Sequence, residues 1–432
     1  MPDHAATRIV RRPSPRPIRT VAADICVVGA GISGVSAALE AARLGRRVAI
    51  VDAAPALGGQ AIGSIIGTII GLYTHGPAPY QITHGIADDL IRDLTAEGSL
   101  HRRASMTGTV TFQYDEVRLG RWMEQKIQEA GVQALVGAVL TGAAFSNRRL
   151  QRLEFATRFG AVHVEAQGFV DSSGDACLSY EAGLDVREPE APVYGSLNFL
   201  IEGYDTAAAR DLVIQDVHRR LADRGAAYGL VRHDGFLMHF PGKDFMLANV
   251  THFETPLDPL HSAALVVEGR RQADNVIGFL RSEFPNIFAN ARIRTYGNPG
   301  IRQTRWIVGS RQLTLDDIRR GERPRDAVAR CAWWVELHNA EALVHWERFE
   351  PGHVYYIPLS CMAPRDADNI VAAGRCVDAD VHALSAIRVM GPCIAMGTAA
   401  AHALDLARSG SVHDVDVAEL QRRLHDNLDR TD

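Results

Sequence analysis

The chain has no run of eighteen uninterrupted apolar residues, so no segment reaches the length a membrane-spanning helix needs. The stretch from Ala61 to Leu72 is apolar, but it is short and broken by glycines. There is no surplus of positive charge. A formal net charge of −5 argues against nucleic acid as the main partner. None of the six cysteines forms a CxxC pair, which weakens metal and dithiol readings, and no metal site is expected. Cys26 falls in an apolar run and reads as a small core residue. A reducing, cytoplasmic setting fits this cysteine usage best. Five arginines lie among prolines in the first 22 residues, and Arg11-Arg12 invites a twin-arginine export reading. The apolar segment that follows, however, is a strand of the fold rather than a removable signal. Residues 1–22 are therefore expected to be a flexible basic arm.

What is present is globular in character, with 47% apolar and 22% charged residues. A length of 432 residues suggests two or three domains. The chain is organised around residues 24–52. A short apolar run, Asp24 to Val28, leads into Gly29-Ala30-Gly31-Ile32-Ser33-Gly34, then an Ala- and Leu-rich helix, then Val48 to Asp52. The glycines have GxGxxG spacing. Gly29 permits the tight turn, Gly31 lets backbone approach a pyrophosphate, and Gly34 lets helix pack on strand. The helix N-terminus offers N–H groups and a positive dipole end to an anion. Asp52, eighteen residues after Gly34, stands where a ribose hydroxyl pair is bound. These features together predict a dinucleotide site in an α/β fold.

Further along, Gly58-Gly59-Gln60 suggests backbone packed against a ligand, and the glycines between 60 and 115 imply a mobile segment. Tyr73, His75, Tyr80 and His84 lie there and read as structural or surface residues. The pattern predicts an amphipathic helix over 115–130, with Val117, Trp122, Met123 and Ile127 on one face. A turn and strand follow through Val139, and paired strands are expected over 153–164. The run Gly168 to Asp175 places a strand before a Gly174-Asp175 turn. Asp175 there accepts from a ligand hydroxyl, or Ser173 or Asp175 caps a helix. Residues 187–355 change character, with tryptophans, histidines and charged helices, and read as a substrate (cap) domain. That domain is inserted in a discontinuous nucleotide domain of 23–186 and 356–432. Within it, Arg302 and Arg305 are candidates for holding a substrate carboxylate, with Arg302 left open against a surface role. His338 and His353 are the leading proton-transfer candidates, with His239 and His252 behind them. Near the end, Gly374-Arg375-Cys376 forms a second glycine turn. Arg388 then precedes Met390-Gly391-Pro392 and a helix of small residues, another dipole end aimed at a ligand.

Four segments now resemble the FAD-dependent oxidoreductases of the glutathione-reductase-like superfamily, and more narrowly a bacterial family related to fumarate reductase flavoproteins. They are Gly29 to Gly34 with Asp52 and Gly58-Gly59, then Val170 to Asp175, Arg302 to Gly309, and Asn369 to Ala401. The resemblance implies a Rossmann-like FAD-binding domain with an inserted α+β substrate domain. It implies that Gly29, Gly31 and Gly34 hold the pyrophosphate and that Asp52, a shorter equivalent of the usual Glu, holds the adenosine ribose. Val139 would meet adenine through its backbone. Asp175 and Gly374-Arg375 would lie along the ribityl chain and flavin, and the helix after Met390 would face the pyrimidine end of the isoalloxazine. The family pattern has a Ser and then a His after the Gly-Arg-Cys turn. Here those places hold Asp378 and Val381, with His382 one position later.

The expected function is hydride transfer between a small polar organic substrate and flavin N5, in the dehydrogenase or oxidase direction. Arg305 and Arg388 would bind an anionic or carbonyl group, and His338 or His353 would move a proton. Three alternatives stand beside it: reduction of an activated double bond, an NAD(P)-dependent dehydrogenase without flavin, and FAD as a structural element in an assembly. The electron acceptor, oxygen or another, and the oligomeric state stay open, with a homo-oligomer possible.

Overall fold

The computed structural model describes residues 7–11, 17–105 and 108–432. At its centre is a five-stranded parallel sheet. Its order is Ile370–Ala372, Gly168–Asp171, Ile25–Val28, Val48–Asp52 and Gln133–Val136. The first three of these strands are wholly buried, which is why they read as continuous apolar runs rather than alternations. Ile25–Val28 lies mid-sheet, and the chain leaves it toward Val48–Asp52 on one side and returns as Gly168–Asp171 on the other. That reversal opens a crevice beyond the carboxyl ends of the strands.

Helix Ile32–Arg43 and the buried helix Met390–Ala407 pack on one face of this sheet. They approach closely: a Cβ on Gly397 would lie 2.2 Å from the Ser33 carbonyl oxygen. Ser36 Oγ donates to the Ile394 carbonyl at 2.8 Å, so the contact is bonded as well as packed. The other face is covered by a second sheet of Arg19–Ala22, Gly160–Glu165, Arg149–Thr157 and Val139–Ser146. Val21, Leu153, Phe155 and Val164 bury themselves there against Val28 and Phe169.

The inserted unit has its own core. Strands Phe236–His239, Phe245–Asn249, Ser196–Glu202 and Arg292–Gly300 form an antiparallel sheet in that order. Helix Pro259–Glu283 covers it through Ala273, Val276 and Leu280 against Leu197, Phe199 and Ile201. This unit is smaller than the expected 187–355. From Trp306 onward, the side chains of Ile307, Ile318, Val328, Ala329, Cys331, Tyr355 and Ile357 belong to the first core. A short antiparallel ribbon, Val186–Arg187 with Trp306–Ile307, joins the two units.

Other expectations also shift. The basic arm ends early, because Arg19–Ala22 is a strand paired in parallel with Gly160–Glu165; residues 1–6 and 12–16 of that arm lie outside the described residues. The segment 60–115 is not featureless. It holds helix Ile86–Ala96 and a three-stranded sheet, and its glycines turn the chain between these elements. The helix expected over 115–130 is Glu116–Glu129, with Asp115 capping Val117 N and Arg118 N. Its buried face is Leu119, Trp122, Met123 and Ile127, while Val117 faces solvent. No single helix among the described residues is long and apolar enough to cross a membrane.

Three histidines are buried in the fold. His75 stacks on Trp334 with centroids 4.3 Å apart, and His252 stacks on Tyr194 at 4.6 Å. Burial pushes both imidazoles down to about 4 and His338 well below its ordinary value. They stay neutral when folded but take up protons when unfolded, so stability falls as pH drops from about 6.5 toward 4. The melting temperature is expected to decrease by several degrees across that window. In His75→Phe the decrease should be smaller; an identical slope would mean that His75 does not contribute.

Candidate active site

The first strand ends at Gly29, whose φ of +97° and close neighbours exclude any other residue: a Cβ would lie 2.2 Å from the Ser172 carbonyl oxygen. The turn then enters helix Ile32–Arg43 through Gly31, and no side chain caps that N-terminus. Its free N–H groups and positive dipole end face the crevice. A Cβ on Gly31 would meet nothing within 4 Å, so this position opens on the cleft rather than on protein. Asp52, at the end of the neighbouring strand, turns back on the glycine turn. Its Oδ2 accepts from Ala30 N at 2.6 Å and its Oδ1 from Ala54 N at 2.7 Å.

The opposite wall is the turn after Gly168–Asp171. Ser172 Oγ donates to the Val28 and Gly29 carbonyls, tying this turn to the first. Ser173 Oγ accepts from Cys177 N, so Ser173 holds the following helix. Asp175 is freed for other contacts: it accepts from Thr304 Oγ1 and pairs with Arg375 Nη2 at 3.5 Å. Arg375 belongs to the second glycine turn, Gly374–Cys376, and its Nη1 has no partner although buried. Helix Met390–Ala407 begins beside it, also without a side-chain cap.

These walls enclose a cleft of about 610 Å³. Toward its outer end lie Asp52, Pro55 and Gly59; toward its inner end lie Asn198, Asn249, Asn298, Arg302, Glu336 and Arg388. Of the residues expected to hold the cofactor, Gly29, Gly31, Ile32, Ser33, Asp52, Gly59, Gln60, Gly174, Asp175, Gly374, Arg375 and Met390 line it. Gly34, Gly58 and Gly391 support it from behind. A Cβ on Gly34 would lie 1.9 Å from the Gly29 carbonyl oxygen, and one on Gly391 would lie 2.1 Å from that of Gly71. Gly58 caps the short helix Gly59–Gly63 and donates to the Ala30 carbonyl. Val139 is 53% exposed on the outer sheet and does not line the cleft.

The expected catalytic group is largely displaced. Only Arg388 lines the cleft. Arg305 lies over the Tyr180 ring at 4.1 Å, a cation–π contact outside the cleft. His353 bonds the Ile318 carbonyl at 2.7 Å beside Phe349. His338 is buried behind the wall and reaches the cleft only through Glu336, Nε2 to Oε1 at 3.1 Å. His239 pairs with Tyr204 and His252 with the Asn339 carbonyl. Sequence reasoning left Arg302 open and missed Asn198, Asn249, Asn298 and Glu336. A signal existed for one of them: Asn198 stands two residues after Ser196 in a strand that is otherwise apolar up to Glu202, so the two polar side chains share one face.

The inner end is crowded with cations. Burial holds Arg302 well below its ordinary value, and the neighbouring Arg388 and Arg232 push it further. Burial lowers Arg388 as well, with Glu336 opposing. Guanidinium groups stay charged in proteins, so this region carries positive charge that its acids, Glu336 and Asp234, only partly balance.

A family model described as FAD dependent oxidoreductase matches residues 24–424. The chain belongs to that family. No curated protein matches it. Among solved structures it is similar to a geranylgeranyl bacteriochlorophyll reductase-like protein from Thermoplasma acidophilum, at 11% identity, TM-score 0.45, covering 94% of this chain and 83% of that one. It is similar to PqsL from P. aeruginosa, solved with 2-aminobenzoylacetate, at 15% identity and TM-score 0.45, covering 93% and 92%. A third is the anhydrotetracycline hydroxylase OxyS from Streptomyces rimosus, at 12% identity and TM-score 0.47, covering 94% and 65%.

The cofactor of this family is FAD, and the residues present fit it. The open face of Gly31, two uncapped helix starts and the unpartnered Arg375 Nη1 all favour a long anionic molecule laid along the cleft. Gly31→Asp is expected to fold, since a Cβ there meets nothing, yet to purify without flavin absorbance. Full FAD occupancy in that variant would remove Gly31 from the cofactor site.

Proposed function

We propose that this FAD-dependent oxidoreductase works in the dehydrogenase or oxidase direction on a small polar anion bound at the inner end of the cleft. The observation that carries this reading is the pair Arg302 and Arg388 beside Glu336 at the cleft wall, with Arg232, bonded to Asp234, close behind Arg302. Bound FAD supplies a two-electron acceptor for the hydride that the substrate carbon gives up. The protein's part is to hold the anion and take the accompanying proton. Arg388, anchored through Nη2 on the Glu336 carbonyl with its Nε unpartnered, presents charge to the ligand. Glu336 is held in place from behind by Trp333 Nε1 on Oε2 and His338 Nε2 on Oε1, at 3.1 Å each. A carboxylate so oriented and open to the cleft is the proton acceptor for a hydroxyl or amine. His338, neutral and buried, positions that carboxylate rather than touching substrate. Arg375 and Asp175 face the cofactor side, and the glycine turns leave room for the pyrophosphate.

The test is anaerobic bleaching of the flavin by pooled hydroxy acids, amines and sugars. Bleaching is expected with an anionic pool. Glu336→Gln should keep FAD and slow reduction by about 10²- to 10⁴-fold. Arg388→Met should raise KM sharply with FAD retained. Unchanged kinetics in both variants would remove the inner end of the cleft from the reaction.

A further inference from the structure

Resting on that reading, we infer that the inner pocket is specific for a small carboxylic acid carrying a hydrogen-bond donor close to the carboxylate. Arg302 takes the carboxylate and Asn198 Oδ1 takes the donor, an amine that keeps a further hydrogen for Glu336 or a hydroxyl other than the one whose proton Glu336 accepts.

Asn198 is 5% exposed and lines the cleft. Its Nδ2 donates to two backbone carbonyls, Ser64 at 3.1 Å and Ile65 at 3.0 Å. An amide has two donor hydrogens and one acceptor oxygen. Both hydrogens are committed, and a flipped amide would set its oxygen against two carbonyl oxygens. The orientation is therefore forced, and Oδ1 is left without a partner in the protein. The loop that forces it is itself strained: Ile65, β-branched, sits at φ +46°. A buried acceptor with no partner costs stability unless a ligand supplies the donor.

Arg302 lies on the same face. Its Nη2 donates to Ser196 Oγ at 3.1 Å and its Nη1 to the Tyr194 carbonyl at 2.7 Å. Two of its five N–H groups are so used, and the remainder are free for a carboxylate. Ser196, which holds Arg302, and Asn198 are two residues apart on one face of strand Ser196–Glu202, roughly 7 Å between their Cα atoms, so the guanidinium and the amide are neighbours. A ligand that spans them is short, with the donor one or two carbons from the carboxylate. Phe236 also lines the cleft. Burying an acid without the donor would leave Oδ1 unsatisfied, which is the condition under which polar sites discriminate strongly.

The experiment uses FAD-loaded protein and four probes that lack an oxidisable α-hydrogen or differ in one group: 2-hydroxyisobutyrate, 2-aminoisobutyrate, isobutyrate and 2-hydroxyisobutyramide. Binding is read from perturbation of the flavin absorption bands, so no turnover is needed. The hydroxy or amino acid is expected to bind at least about tenfold more tightly than isobutyrate, a factor set by one unsatisfied acceptor. Whichever of the two binds more tightly identifies the donor. The neutral amide should bind at least about tenfold more weakly than the acid. Asn198→Ala should bring the hydroxy acid and isobutyrate to equal affinity while leaving the preference for acid over amide. Arg302→Met should do the reverse. Should either variant lose FAD, the series on the unmodified protein decides alone. Equal binding of all four probes, or none, by protein whose flavin is bleached by some other compound would overturn this inference and leave the oxidation reading intact. Discrimination as expected, with no acid ever bleaching the flavin, would uphold the pocket and overturn the reaction.

Discussion

Everything in this molecule depends on how closely backbone approaches backbone at the start of helix Ile32–Arg43. Three segments meet there with no room for a side chain between them. The Ser172 carbonyl lies against Gly29, the Gly29 carbonyl against Gly34, and the Ser33 carbonyl against Gly397. Ser172 Oγ and Asp52 then bond the turn from either side. Because these contacts are backbone on backbone, the turn has little freedom to adjust, and the helix start is held rigidly toward the cleft. The long helix Met390–Ala407 is registered by the same contact, so the second uncapped helix start is placed by the first.

The two ends of the cleft are built on different physics. At the cofactor end, selectivity comes from missing side chains and from main-chain N–H groups, which suit a large ligand of fixed shape. At the inner end it comes from oriented side chains: an amide pinned by two carbonyls, a carboxylate pinned by an indole and an imidazole, and guanidinium groups pinned by backbone oxygens. Such groups are costly to bury unless satisfied. The inner end thus holds a surplus of oriented positive charge.

This difference explains what could be read from the sequence. The glycine turn, its strand and Asp52 are contiguous, and their spacing carries the geometry directly. Asp52 nevertheless bonds Ala30 N and Ala54 N, a role that spacing alone does not distinguish from ribose binding. The inner end joins Asn198, Arg302, Glu336 and Arg388, drawn from four separate stretches, and only the fold brings them together. Histidines were weighted by their chemistry, yet His338 and His353 are held by internal partners. Arg305, three residues from Arg302, is directed by the bend in the chain to Tyr180 instead. The unit expected over 187–355 gives way to the first core for a related reason: Trp333, in the aromatic run that suggests a cap, packs with Ile307 and Ile318 in that core.

The departures from the family pattern after the Gly374–Cys376 turn carry a structural consequence. Asp378 is fully buried, accepting from Arg187 Nε and Gln312 Nε2 on one oxygen and from Gly309 N on the other. Burial pushes its carboxyl up from the ordinary value, against those three donors. A serine there has too few lone pairs to accept all three. Arg187 lies in the ribbon with Trp306 that joins the inserted unit to the nucleotide-binding sheet. Asp378 thereby ties the second glycine turn to the connection between the units. His382 meets His345 edge-on at 6.4 Å and does not line the cleft. The proton acceptor we propose, Glu336, lines the cleft from a different element.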